Sequence, residues 1–326
     1  MGALARERAG RLVAPWLRGL GRRRLLAQRG QATRRPAGGR ATRGRALNDV
    51  RALLADASAR LPGEEARAEA ERLLAHVLAR PRAWLYAWPE HLPTPEQCAA
   101  FERAISERQR GVPVAYLLGH RAFWTFDLAV TPAVLIPRPE TERLVELALA
   151  RLPREQALAV ADLGTGSGAV ALAIASERQH ARVLATDISP DALAVARSNA
   201  ARLGIANIAF AEGDWCAALG DAHFDLIASN PPYIEGRDPH LGEGDLRHEP
   251  AHALSSGADG LDAIRTIIDA APRHLLPGGS LLLEHGRDQA ERVRDLLAAR
   301  GFVDVESARD LAGHERVSQG RLPPAR

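Results

Sequence analysis

The stretch Asp162-Leu163-Gly164-Thr165-Gly166-Ser167-Gly168 spaces three glycines two residues apart, directly after a strand-like run (157–163) and directly before a helix-like one (169–177). Glycines at such a junction let the backbone turn tightly and leave its N–H groups open to a ligand. The alternation continues along the chain. Strand-like runs fall at 182–186, 208–211, 224–229 and 280–284, and helix-like runs at 190–203, 261–275 and 289–299. This order predicts an α/β fold, a mostly parallel sheet covered by helices on both faces, which 303–307 and 316–321 close as a final antiparallel pair. The chain has no internal repeat.

The glycine spacing departs from the dinucleotide pattern Gly-x-Gly-x-x-Gly, and no Gly-Lys-Ser/Thr follows to make a phosphate loop. Asp162, two residues before the first glycine, suits a ligand with a cationic end, such as the ammonium of S-adenosylmethionine (SAM), better than a pyrophosphate. Asp187 ends the second strand-like run, where an acid can accept hydrogen bonds from ribose hydroxyls. Asp214-Trp215 follows the third, where an acid and an aromatic could hold an adenine. Any one of these alone reads equally as a strand-end cap or a half-buried aromatic. Three at successive strand carboxyl ends point to a nucleoside cofactor.

The fourth strand-like run ends in Ser229-Asn230-Pro231-Pro232-Tyr233. Asn230 offers a side-chain carbonyl, and Pro231, lacking an N–H, leaves a turn that shows mainly carbonyl acceptors. Two adjacent acceptors can grip both hydrogens of an NH2 group, fix its nitrogen and draw its lone pair out of conjugation. Tyr233 supplies a flat face for a planar amide or base. The nucleophile is neutral and its proton can leave after transfer, so catalysis needs alignment more than a general base.

The 326 residues leave room for a second, smaller domain. Helical spacing governs 47–110: Val50, Leu53 and Leu54 share one face, as do Ala70, Leu73, Leu74 and Val77. Thr94 is placed to cap a third helix, with Pro95 in its first position and Gln97 completing a capping box. Ala100, Phe101, Ala104 and Ile105 form that helix's apolar side. Phe123 to Val130 reads as extended or hairpin, and Pro137 and Pro139 predict a stiff, non-helical connector before a helix from about 141 to 151.

All 43 basic side chains counted as Lys or Arg are arginines, and thirteen of them lie in residues 1–46 against one acid, Glu7. Those residues are read as a disordered arginine-rich extension, with an RNA-binding arm or a transit peptide as functional alternatives. The rest of the chain is acidic, the opposite of a surface that replaces phosphate counterions, so no direct nucleic-acid partner is expected. No apolar run approaches the roughly 18–20 residues that span a bilayer. Cys98 and Cys216 form no disulfide framework and are expected to be buried thiols in a reducing, cytoplasmic compartment. No metal-ligand spacing is present, and no metal is expected.

These motifs together resemble the bacterial and organellar release-factor glutamine methyltransferases, a family of class I SAM-dependent enzymes. The resemblance covers about 47–322. It includes Leu135-Ile136-Pro137-Arg138-Pro139-Glu140-Thr141-Glu142, the glycine loop, Ser229 to Ile234, Leu246-Arg247-His248-Glu249-Pro250 and Leu282-Leu283-Glu284-His285-Gly286. Asn-Pro-Pro-Tyr is shared with adenine and guanine methyltransferases, whereas the connector and the Glu-Pro segment are more specific. The resemblance implies a Rossmann-like sheet and SAM contacts at Gly164, Thr165, Gly166, Ser167, Gly168, Asp187, Trp215 and Asn230. It implies an acceptor site at Asn230, Pro231, Pro232 and Tyr233, of which Asn230, Pro231 and Tyr233 are catalytic. It places the connector around Arg138 and Glu140 near the cofactor, or else as a purely structural brace.

The implied substrate is the Gly-Gly-Gln glutamine of class-one peptide release factors. The implied division is a helical docking domain over 47–112, a hairpin and connector over 113–140, and a methyltransferase domain over 141–326. The alternatives are a ribosomal-protein glutamine methyltransferase, a nucleic-acid adenine-N6 methyltransferase and a catalytically silent SAM-binding scaffold. An adenine enzyme predicts a basic cleft or a target-recognition domain, and a scaffold has no need of an NH2 grip.

Overall fold

The computed structural model describes residues 49–324; the arginine-rich extension of the sequence reading, 1–46, lies outside them. The first elements are α1 (Val50–Arg60), α2 (Ala66–Leu78), α3 (Arg82–Ala87), α4 (Pro95–Gln109), α5 (Val114–Leu118), β1 (His120–Phe123), β2 (Phe126–Ala129) and α6 (Glu142–Arg151). The alternating region then runs β3 (Ala159–Leu163), α7 (Ala169–Glu177), β4 (Arg182–Asp187), α8 (Pro190–Leu203), β5 (Ile208–Glu212), β6 (Phe224–Ser229) and α9 (Asp262–Ala270). It ends in β7 (Leu275–Glu284), α10 (Ala290–Ala299), β8 (Val303–Arg309) and β9 (Glu315–Arg321).

The N-terminal helices bury a core of their own around Leu54, Leu73, Leu74, Phe101 and Ile105, which are the apolar faces expected from their three-to-four spacing. The capping box at α4 forms as its residues predict. Thr94 accepts from the Gln97 N–H, and the Gln97 side chain accepts from the Thr94 N–H. The short helices α3 and α5 carry too few apolar positions to show a period. α3 is held by tertiary contacts instead: buried Glu71 of α2 accepts from Arg82 and Tyr86, as well as from Arg67. Cys216 is buried, as expected, but Cys98 is only half-buried.

The seven strands of the main sheet lie in the order β5-β4-β3-β6-β7-β9-β8. Neighbours from β5 to β7 are parallel, while β9 is antiparallel to both β7 and β8. Alternate residues of each strand feed opposite layers. Leu226 and Ala228 pack with Leu144 of α6 and Leu172 of α7. Ile227, between them, packs with Ile264 and Ile267 of α9. The sheet starts at its centre with β3, extends outward through β4 and β5, and returns to the other side of β3 with β6. This reversal opens the crevice in which doubly wound sheets bind ligands.

Prolines set two boundaries here, one of which the apolar pattern misplaces. The helix expected across 261–275 stops at Ala270, because Pro272 has no N–H to donate and its ring crowds the preceding turn. A single 3-10 turn, Ala271–Arg273, follows, and β7 then starts at Leu275 rather than at 280. Its register against β6 shifts between Phe224 and Leu226, across the Pro277-Gly278-Gly279 segment. Pro139 likewise opens a 3-10 turn, Pro139–Thr141, that leads directly into α6.

The β1–β2 hairpin docks on the main sheet through Phe123 and Leu128. Asn199 of α8 fastens it there. Its Oδ1 accepts from the Ala129 N–H at 2.8 Å, and its Nδ2 donates to the carbonyls of Ala129 and of Ser167 in the glycine loop. Asn199 is fully buried, so truncation leaves those backbone groups unpaired in a dry site. Asn199→Ala is therefore expected to cost about 2–4 kcal/mol of stability, read by urea unfolding. A loss below about 0.5 kcal/mol would show that the hairpin is held by its apolar contacts alone.

Candidate active site

The glycine loop leaves β3 with Gly164, Gly166 and Gly168 all in the left-handed region. At Gly164 a side chain would also meet a neighbour, since a Cβ would lie 3.1 Å from the Trp215 ring. The bare backbone on this wall is what keeps the crevice open. Asp162 anchors the loop from beneath: its Oδ2 accepts from the Thr165 hydroxyl at 2.6 Å and from the Ala171 N–H at 3.1 Å. Burial pushes this carboxyl up to about 6, with the two hydrogen bonds opposing the shift. Asp187, at the end of β4, accepts from the Gly166 and Ser189 N–H groups, both at 2.9 Å.

Three adjoining cavities occupy the switch point. The first, about 220 Å³, is walled by Gly164, Gly166, Asp187, Asp214, Trp215 and Asn230, among others. A smaller one beside it is lined by Asp162, Thr165 and Ser167 together with Pro137, Arg138 and Thr141 of the connector. The third is lined by Asn230, Pro231, Pro232 and Tyr233 with apolar walls from Leu135, Leu246 and Leu254. Asn230 lines all three. Of the cofactor and acceptor residues picked out from the sequence, Gly168 alone lines none of these cavities. It starts α7 instead, packed so closely on Leu172 and Ala196 that a side chain there would collide.

Asn230 is held by one hydrogen bond, from Nδ2 to the Thr141 hydroxyl at 3.1 Å. Among the described residues no donor reaches its Oδ1 or the carbonyl of Pro231, and both residues line the third cavity. Tyr233 is half-buried against the core, and its carbonyl accepts from Gln289 at 2.9 Å. Burial pushes its phenol upward, with the charge of Glu284 adding to the effect. Among the described residues no group of three or more His, Cys, Asp or Glu is placed to hold a metal ion.

Several site residues had escaped sequence reasoning. Ile188 stands exposed at the mouth of the first cavity beside Asp187, with nothing in its local pattern to flag it. His252 and Ala253 reach the same cavity and follow closely on Glu249-Pro250. Buried Glu249 accepts from the Ile136 N–H at 2.9 Å and pairs with Arg138, which clamps the connector against the site. Arg138 is thus both brace and wall, whereas Glu140 is exposed. Glu284 ends β7 fully buried, with Oε2 lacking any hydrogen-bond partner. Burial pushes its carboxyl up to about 7, with the nearby Thr141 and Tyr233 hydroxyls and the charge of Arg316 opposing the shift.

Residues 45–119 match the family described as the PrmC N-terminal domain, and residues 143–257 match the methyltransferase small domain. A release factor glutamine methyltransferase from Xylella fastidiosa (strain Temecula1) is 53% identical over 275 residues, 83% of this chain and 98% of that protein. The Escherichia coli K12 protein of the same description is 48% identical over 258 residues, 79% of this chain and 93% of its own. A solved release-factor-specific protein-(glutamine-N5) methyltransferase from Alicyclobacillus acidocaldarius is 31% identical, covering 60% of this chain and 100% of that one, with a TM-score of 0.38. With about half of the aligned residues identical to the Xylella and Escherichia proteins over nearly their full lengths, the chain belongs to the family of release factor glutamine methyltransferases.

Proposed function

We propose that the chain transfers the methyl group of SAM to the side-chain amide nitrogen (N5) of the glutamine in the Gly-Gly-Gln loop of class-one peptide release factors. The observation that carries this reading is the placement of Asn230. Its amide nitrogen is occupied by Thr141, its carbonyl and that of Pro231 have no donor among the described residues, and both residues line a cavity that adjoins the glycine-loop crevice. Two free carbonyls suit a group with two hydrogens to donate, which a primary amide has and an alcohol or thiol lacks.

SAM supplies an electrophilic methyl on a sulfonium. The glycine-loop crevice fits it: backbone at Gly164 and Gly166, the Trp215 ring, and carboxylates at Asp162, Asp187 and Asp214. Asp187 would accept from ribose hydroxyls with the lone pairs its two backbone bonds leave free. Thr165 and Ser167 line the neighbouring cavity, where Asp162 offers a negative charge to the ammonium end. Gly168 would act through the shape of the loop rather than by contact.

Asn230 Oδ1 and the Pro231 carbonyl hold both N–H groups of the glutamine amide, which fixes the nitrogen and weakens its conjugation with its own carbonyl. Pro232 and Tyr233 flank the amide, and Leu135, Leu246 and Leu254 keep water from it. The nitrogen gains the methyl and afterwards loses one proton. Orientation supplies most of the rate, since no base is needed before transfer. The helical segment 47–112 would dock the release factor. Tyr86, Trp88 and Leu92 stand exposed there, an apolar surface of the kind protein partners cover.

Mass spectrometry of a release factor and of duplex DNA, each incubated with the chain and SAM, tests the reading. One added methyl on the Gly-Gly-Gln glutamine is expected, with Asn230→Ala slower by roughly 10²–10³-fold. Methylated adenine with an untouched release factor would overturn it.

Asp162 gives a second test through pH. Its pKa of about 6 in the fold lies above the ordinary aspartate value of 3.8. The folded state therefore binds the extra proton between those values, and its stability falls as pH rises through them. Asp162→Asn removes this titration. Its unfolding free energy relative to the native sequence is expected to rise by about 2.5 kcal/mol between pH 4 and pH 7 in the absence of SAM. SAM affinity at pH 7 is expected to fall at the same time. A stability difference that does not change with pH would contradict the buried-charge account.

A further inference from the structure

Thr141 has one hydrogen to donate, and its hydroxyl also accepts from Asn230 Nδ2 at 3.1 Å. Where that single hydrogen goes decides how Asn230 stands. A threonine free to rotate could equally donate to the Asn230 carbonyl, and the amide would then flip and present its NH2 to the acceptor cavity. Nothing else among the described residues holds the Asn230 side chain in one orientation.

Glu284 supplies the missing constraint. The register of β6 on β7 pairs Ser229 with Leu283, so Asn230 and Glu284 are the next residues out of two adjacent parallel strands. The Glu284 carboxyl is 1% exposed, Oε2 has no partner, and the hydroxyl of Thr141 lies close enough to work against the effect of burial on its pKa. When ionised, the carboxylate in that position can only accept, and it takes the threonine hydrogen. The threonine is left with lone pairs alone for Asn230, and only the NH2 end of the amide can meet them.

We propose that Glu284, acting through Thr141, is a positioning residue that locks the Asn230 amide with its carbonyl toward the acceptor. The proposed path runs from the end of β7, through the residue before α6, to the residue after β6, where Asn230 already donates to Thr141. The Glu284 side chain does not touch the substrate amide. It sets the direction of the group that does. An Asn230 flipped the other way would oppose its NH2 to the NH2 of the substrate, which removes one of the two acceptors and adds a repulsive contact. This inference rests on the glutamine-methylating function proposed above.

The test compares Thr141→Val, Thr141→Ser, Glu284→Leu and the Thr141→Val/Glu284→Leu double variant in single-turnover methylation of a release factor. SAM affinity is measured by calorimetry and folding by thermal unfolding. Thr141→Val keeps the shape of the side chain and removes its hydrogen bonds. It is expected to slow the methyl-transfer step about tenfold or more, with SAM affinity and KM for the release factor changed less than about threefold. Thr141→Ser, which retains the hydroxyl, is expected to restore the rate. Because the two residues act along one path, adding Glu284→Leu to Thr141→Val should slow the reaction no further.

A Thr141→Val rate within about twofold of the native chain, or losses that multiply in the double variant, would overturn the positioning role. A native chain that binds SAM and leaves the release factor unmethylated would overturn the proposed function and this inference with it. Those two failures are told apart by the native control.

Discussion

The pairing of β3 with β6 aligns Leu163 with Ser229, and the chemistry of the site depends on that register. The Ser229 hydroxyl donates to the Leu163 carbonyl at 2.7 Å, a buried bond between the last residues of the two strands. One residue further on, one strand releases Gly164 and the other releases Asn230, so the glycine loop and the Asn-Pro-Pro-Tyr turn emerge side by side at the point where the sheet order reverses. A shift of one residue would turn each side chain of β6 to the opposite face and carry Asn230 away from the crevice. Leu226 and Ala228 pack in one layer and Ile227 in the other, so such a shift would disrupt the packing of both.

The connector between hairpin and sheet completes the arrangement. Leu135, Pro137, Arg138 and Thr141 are drawn into the cavities, and each end of the segment is held by a buried acid. Glu249 receives the Ile136 N–H and Arg138 at one end, and Glu284 faces Thr141 at the other. Buried carboxylates are costly unless paired. Glu249 meets that condition with an arginine and a backbone donor. Glu284 does not, and its elevated pKa records the difference. Arg108 extends the same framework to the helical region by pairing with Glu69 of α2 and with Asp245, next to Leu246 of the acceptor cavity.

Features set by local chemistry were legible in the sequence. The capping box at Thr94, the glycine loop, the seven-stranded alternation and the Asn-Pro-Pro-Tyr turn all formed where their residues indicated. The family resemblance is shown by the relatives. Features set by tertiary contact were not legible. Thr141 and Glu284 lie in quoted motifs, yet nothing in either motif says that a threonine before a helix and a glutamate ending a strand meet at one asparagine. Ile188 looks like any apolar residue after a strand. The misplaced boundary at Ala270 has a plain local cause, Pro272, which the apolar period overrode in the reading.

The most direct measurement of the account is a crystal structure of the chain with S-adenosylhomocysteine and a Gly-Gly-Gln release-factor domain. The account predicts the glutamine nitrogen within about 3.2 Å of both Asn230 Oδ1 and the Pro231 carbonyl, with Asn230 Nδ2 still on Thr141. A glutamine amide bound away from that turn, or an Asn230 that offers its NH2 to it, would contradict the account.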